Sequence, residues 1–219
     1  MSAINHALQV TSISISLITA GGIATLSFFD VPILRAQPAS RSLPSIRWLF
    51  SRGSHVFPTA AFISAAGFGA LAYRSLPGSL ASRTVLQLLR DTRVRGYLAA
   101  AALNIGIAPF TSVMIPNNFE LIERNNNLGG HRSIASSQAA EKEKAGLRQR
   151  SARDSVNGKG EGVGQFEDVS DPQEQTSQKS SDAEDEQVRA MLTKFGSQNL
   201  VRAFLMLAGG VAGLLTALA

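Results

Sequence analysis

Gly96–Asn125 reads GYLAAAALNIGIAPFTSVMIPNNFELIERN. It starts as an apolar run long enough to cross a bilayer, holds Asn104, Pro109 and Thr111 inside that run, and leaves through Pro116, Asn117 and Asn118. In hydrocarbon each polar group needs a partner and each proline removes a backbone donor. The stretch therefore reads as a membrane helix, about 96–115, whose polar side chains face a protein interior. Asn104, Thr111 and Asn118 recur every seven residues, so on an unbroken helix they drift only slightly around one face.

Three more apolar blocks have the length of a span, roughly 20 residues. The block at about 8–29 carries no charge between Leu8 and Phe29, and the lack of Lys or Arg before it argues against a signal peptide. Its Ser14, Ile18, Gly21 and Thr25 share one helical face and are expected to look inward. Pro32 is expected to end this helix, with a basic and aromatic interface loop following to about Ser54. The block at about 55–73 is rich in Ala, Gly and Ser, suited to close helix contact. Beyond it, Pro77-Gly78 marks a turn and 85–90 a short amphipathic helix. The last block, about 200–219, places Arg202, Met206, Gly209 and Gly213 on one face, expected to point inward across a Gly-xxx-Gly contact; an outward Arg202 would instead snorkel to the headgroups.

The expected architecture is an all-α integral membrane four-helix bundle with a long, largely disordered loop between the third and fourth helices. By residue number it divides into a membrane part at 1–128, a polar insertion at 129–185, and a short helix leading into the fourth span at 186–219. The insertion is nearly free of aromatic residues and cannot bury enough apolar surface to offset its ordering entropy. A helical piece at 136–153 is its one expected element. The acidic tract Asp182, Glu184, Asp185 and Glu186 reads as a solvated helix start.

The chain has 219 residues, a formal charge of +5, no cysteine and three histidines. Its mean hydropathy of +0.07 averages the polar insertion against the apolar blocks. Lys and Arg form no stripe with interleaved aromatics, which leaves nucleic-acid binding without support. Disulfides are excluded, and His6, His55 and His131 show no metal-ligand spacing. Arginines flank both ends of the spans too evenly to set an orientation.

Several segments read together. They are Ser27-Phe28-Phe29-Asp30-Val31-Pro32, Trp48-Leu49-Phe50-Ser51-Arg52-Gly53 with Pro58, Pro109 to Asn118, and Asn199-Leu200-Val201-Arg202-Ala203. In this order they resemble the anthrone oxygenase family, small four-helix membrane proteins of which many act in fungal aromatic polyketide pathways. Phe50 stands where that pattern leads one to expect tyrosine. The resemblance implies oxidation of an anthrone to an anthraquinone by molecular oxygen, with no metal and no other cofactor. It also implies a planar aromatic polyketide substrate, an intracellular membrane such as the endoplasmic reticulum, and enzymes of the same pathway as further partners.

Such chemistry needs an apolar slot, a base, and donors for a developing oxyanion. Asp30 and His55, closing the first span and opening the second, are the candidate bases, with Asn118 and Arg202 as catalytic donors. Asn104, Pro109, Thr111, Asn117 and Asn199 are the candidate substrate contacts. For each a plainer reading stands beside this one: the amides and hydroxyls bond neighbouring helices or cap an end, and Asp30 and His55 face water at the interface. Two other functions fit the same pattern, a noncatalytic membrane protein scaffolding partner enzymes and a small transporter.

Overall fold

The structure is a computed structural model that describes residues 2–76, 90–142, 151, 153–154, 163 and 167–219. All regular structure among these residues is helical. In chain order the elements are α1 (Ala3–Thr25), a π-helical turn (Leu26–Asp30), α2 (Val31–Arg35), α3 (Ala39–Arg74), α4 (Thr92–Ile105), α5 (Ile107–Asn127), α6 (Ile134–Lys142) and α7 (Asp182–Leu218). Four stretches, Ala3–Arg35, Ala39–Arg74, Thr92–Asn127 and Asp182–Leu218, are long and apolar enough to cross a membrane, which fits a multi-pass membrane protein.

These helices outrun their apolar blocks. A 36-residue helix rises about 54 Å, against a hydrocarbon thickness of about 30 Å. The basic segment expected as a loop to Ser54 is helix from Ala39 onward, and the short helix at Glu186 is continuous with the fourth span. Pro32 does not end the first helix. It sits in the first turn of α2, just after the π-helical turn, where its missing N–H is tolerated because the turn has already shifted the bonding register. Similarly, Pro109 offers no N–H to the carbonyl of Ile105. The chain is interrupted for one residue there, at Gly106, and then resumes as α5.

The chain folds as two units, one of residues 1–25, 56–112 and 199–219, the other of 26–55 and 113–198. The first collects the most apolar part of each span. Ala20, Ile23, Ala61, Ile107, Ala203 and Met206 form one core cluster, and Phe68, Leu71, Ala72, Tyr97 and Ala100 a second. The inward face of α1 is Ser12, Ser16, Thr19, Ala20 and Ile23; Ser14, Ile18, Gly21 and Thr25 are exposed, contrary to expectation. Hydroxyls decide the rotation. Ser64 donates to the carbonyl of Ser12 at 2.9 Å, and Ser16 lies 2.7 Å from both the Asn104 side-chain oxygen and the Met206 carbonyl, so this face satisfies its polar atoms against other helices.

The second unit buries Leu43, Ile46, Leu121, Ile122, Val188 and Leu192, with Phe50 set edge-on to Phe195 at 5.1 Å between ring centres. The two edges of the polar insertion are built in, where disorder is expected from composition. Arg132 and Asp168, both buried, pair at 3.1 Å, and Ser133 and Ser170 each donate to the same carboxylate at 2.6 Å. Burial pushes the Asp168 carboxyl up, yet the hydrogen bonds from Ser133, Ser170 and Arg132 outweigh it and hold the group down at about 2. Residues 168–178 then lie along α3. Trp48 donates its indole N–H to the Ser170 carbonyl at 2.9 Å, Arg52 reaches the same carbonyl at 3.1 Å while stacking on the Trp48 ring, and the Thr176 amide donates to Ser40 at 2.8 Å. Polar pairing, with little apolar burial, orders these residues. Of the expected helical piece at 136–153, Ile134–Lys142 is helix and most of the rest lies outside the described residues, as does the amphipathic helix at 85–90 except Arg90. The acidic tract does begin a helix: Ser181 and Glu184 cap α7 reciprocally, side chain to backbone.

Candidate functional site

The site is best built from α7. Among its buried positions, Val188, Leu192, Phe195, Asn199, Arg202, Met206, Gly209 and Gly213 follow one another in alternating steps of three and four, one seam along the helix, and the buried Gly196, Ala203 and Gly210 widen that face. The expected inward face of Arg202, Met206, Gly209 and Gly213 is therefore present. Within the first unit a Cβ on Gly209 would overlap the Asn104 amide nitrogen and one on Gly213 the Phe68 ring, so both glycines admit a neighbour that no other residue would.

On that seam Asn199 is fully buried and Arg202 is 8% exposed. Arg202 Nη1 donates to Asn199 Oδ1 at 3.0 Å. This leaves two buried donors, Arg202 Nε and Asn199 Nδ2, with no hydrogen-bond partner among the described residues. Such atoms cost free energy unless something accepts from them. Arg202 thus points inward and does not snorkel.

The other expected residues of the first unit have their polar atoms engaged. Asn104, fully buried, accepts from Ser16 and donates to the Ala100 carbonyl at 2.8 Å. Thr111 donates to Ile107 one turn back at 2.7 Å, and Pro109 is exposed. Asn104 and Thr111 therefore behave as structural polar groups in this structure.

Four expected residues belong to the second unit. Asn117 is buried and donates to the Met191 carbonyl at 3.2 Å. Asn118 has a buried side-chain oxygen with no partner. Asp30 is half-buried at the end of the π-helical turn and makes no side-chain capping bond, and His55 is half-buried on α3. The seven-residue repeat also contains a member that sequence reading passed over. Asn125 continues Asn104, Thr111 and Asn118, is fully buried, and leaves both amide atoms unpartnered among the described residues; the signal is the unbroken interval of seven. A Cβ on Gly130 would overlap this amide, so the glycine lets the loop close over it. Among the described residues no group of three or more His, Cys, Asp or Glu is placed to hold a metal ion.

The arrangement in the first unit is a pair of buried donors one turn apart on α7, the kind of group that accepts an anionic oxygen as partner. No curated protein and no solved structure matches the chain. Residues 47–212 match the family model for anthrone oxygenase, a range that contains Trp48 to Gly53, Pro109 to Asn118 and the Asn199–Arg202 pair, and the chain belongs to the anthrone oxygenase family.

Proposed function

We propose that this protein oxidises an anthrone to an anthraquinone with molecular oxygen, as a tailoring step on an aromatic polyketide in an intracellular membrane such as the endoplasmic reticulum. The reaction balances without a resident cofactor. The substrate methylene loses its two hydrogens, one oxygen atom becomes the new carbonyl, and the other leaves as water. Loss of the first methylene proton gives an aromatic, phenolate-like anion, electron-rich enough to reduce oxygen itself. The protein then has to bind the flat ring system, accept a proton, and stabilise charge on the existing carbonyl oxygen.

The observation that carries this reading is the buried, unpartnered donor pair of Asn199 Nδ2 and Arg202 Nε. Asp30, His55 and Asn118, which belong to the second unit, are candidates by residue chemistry alone, the first two as bases and the third as a substrate contact. The test is quinone formation from an anthrone by membranes with and without this protein, under air and under nitrogen. Oxygen-dependent turnover above the spontaneous rate supports the reading; its absence from correctly inserted protein overturns it.

A second reading is a noncatalytic membrane scaffold for partner enzymes. It is favoured by the satisfied bonding of Asn104, Thr111 and Asn117. It predicts a specific copurifying pathway enzyme and no turnover.

A further inference from the structure

A cleft of about 250 Å³ opens in the first unit among the start of α1, the end of α3 and the start of α4, lined by Asn5, Gln9, Leu71, Arg74, Ser75, Arg93 and Tyr97. Its chemistry is one-sided. Among the described residues two guanidinium groups and no carboxylate line it, and the neighbouring Asp91 caps α4, accepting from the amides of Arg93 and Val94 at 2.9 and 3.1 Å. Arg74 donates Nε to Asn5 at 2.5 Å and Nη2 to Ser2 at 3.3 Å. These two bonds hold the side chain in place and leave three of its five N–H groups free of them.

Tyr97 supplies a rigid part of the wall. Its ring is buried and stacks on Phe68, while its hydroxyl accepts from Gln9 Nε2 at 2.7 Å and so keeps its own proton to donate. Among the described lining residues only Leu71 and the Tyr97 ring are apolar, so a flat hydrocarbon substrate finds little to pack against there. A small, multiply charged oxyanion would instead meet guanidinium forks matched to it.

We propose that this cleft binds a phosphate-bearing anion, presented by the headgroup of an anionic membrane lipid. The lipid source follows from position. Arg74 and Arg93 stand at the ends of membrane-length helices, where basic side chains meet headgroups, and the exposed Tyr73 is a residue of the membrane interface. This assignment is independent of the oxidation reaction and of the Asn199–Arg202 pair.

The test uses the full-length protein in detergent, with native mass spectrometry counting retained lipid. Phosphatidic acid is expected to be retained at least about tenfold more than phosphatidylcholine, and Arg74→Gln or Arg93→Gln to cut that preference about fivefold each. Equal retention of the two lipids overturns the proposal, as does an unchanged preference in the double variant with parent-like thermal unfolding. Should the variants misfold, the parent protein still decides: the dimethyl ester of phosphatidic acid, which lacks the charge, must lose the preference. Inorganic phosphate separates the sources. Displacement of phosphatidic acid by millimolar phosphate supports recognition of the phosphate itself, whereas phosphate binding without any lipid retention overturns the lipid source.

Discussion

Replacing Arg202 by methionine separates the role of its charge from that of its bulk. Arg202 is buried, with Asn199 as its one hydrogen-bonded acceptor among the described residues at 3.0 Å and Nε unpartnered there. A buried charge so thinly compensated adds little or nothing to stability, and an apolar side chain of similar volume is neutral or stabilising by about 1–4 kcal/mol. Arg202→Met should therefore unfold at the same temperature as the parent or higher. If the same N–H groups hold the substrate oxyanion, turnover should fall by about 10²–10³, the usual cost of one such donor. Asn199→Leu should behave differently: it leaves the charge buried with no acceptor and should lower stability by about 3–5 kcal/mol. Oxygen uptake and quinone absorbance in proteoliposomes measure the first effect and thermal unfolding in detergent the second. An Arg202→Met protein that folds and turns over like the parent would refute the assignment of the donor pair.

Gly209→Ala should destabilise the first unit by about 1–3 kcal/mol because the new methyl overlaps the Asn104 amide, and Asn104→Ala in the same chain should recover part of the loss, read as coupling in a double-mutant cycle of thermal unfolding. The Asp168 carboxyl titrates at about 2, below its ordinary 3.8. A depressed carboxyl gives stability that is complete above the unfolded value and lost as pH falls through the folded one, so protection of residues 131–137 and 168–176 from hydrogen exchange should decline between about pH 4 and pH 2, by about 2 kcal/mol. Asp168→Asn should remove that dependence. Trp48 is the chain's single tryptophan; Trp48→Phe should cost about 1 kcal/mol and raise exchange at residues 168–176, and in the parent its emission should shift red at the pH where those residues are released.

The four spans and the inward face of α7 were legible because each shows in a pattern of the chain itself: uninterrupted apolar length in one case, and charge, methionine and two glycines at helical spacing in the other. The face of α1 was not. Its stripe Ser14, Ile18, Gly21, Thr25 and its true stripe Ser12, Ser16, Thr19, Ile23 are nearly alike in composition, and the choice falls to the bonds of Ser12 and Ser16 to other helices. Pro32 misled for a local reason, since a π-helical turn absorbs a proline that an α-helix would reject. The ends of the polar loop misled for a different one. Hydrophobic content predicts whether a segment can bury apolar surface, but the segment at 131–137 and 168–176 is held by a carboxylate with three hydrogen-bonding neighbours and by one indole N–H.

The candidate site was legible as a set of residue types and illegible as a division of labour. Asn104, Thr111, Asn118 and Asn125 occupy one register of one helical sequence and look equivalent there. Their hydrogen bonds divide them. Asn104 and Thr111 have polar atoms taken up by neighbouring serine and backbone groups, and for these two the requirement that hydrocarbon imposes on a polar group is fully met within the protein. Asn118, Asn125 and Asn199 keep buried amide atoms, and Arg202 a buried guanidinium nitrogen, without partners among the described residues. A buried polar atom left without a partner carries a standing cost of about 1–3 kcal/mol, which a ligand that completes it would offset. The same accounting gives Asn125 its own test. Asn125→Leu should raise thermal stability if that amide is merely unsatisfied, and should lower turnover as well if substrate or a second chain completes it.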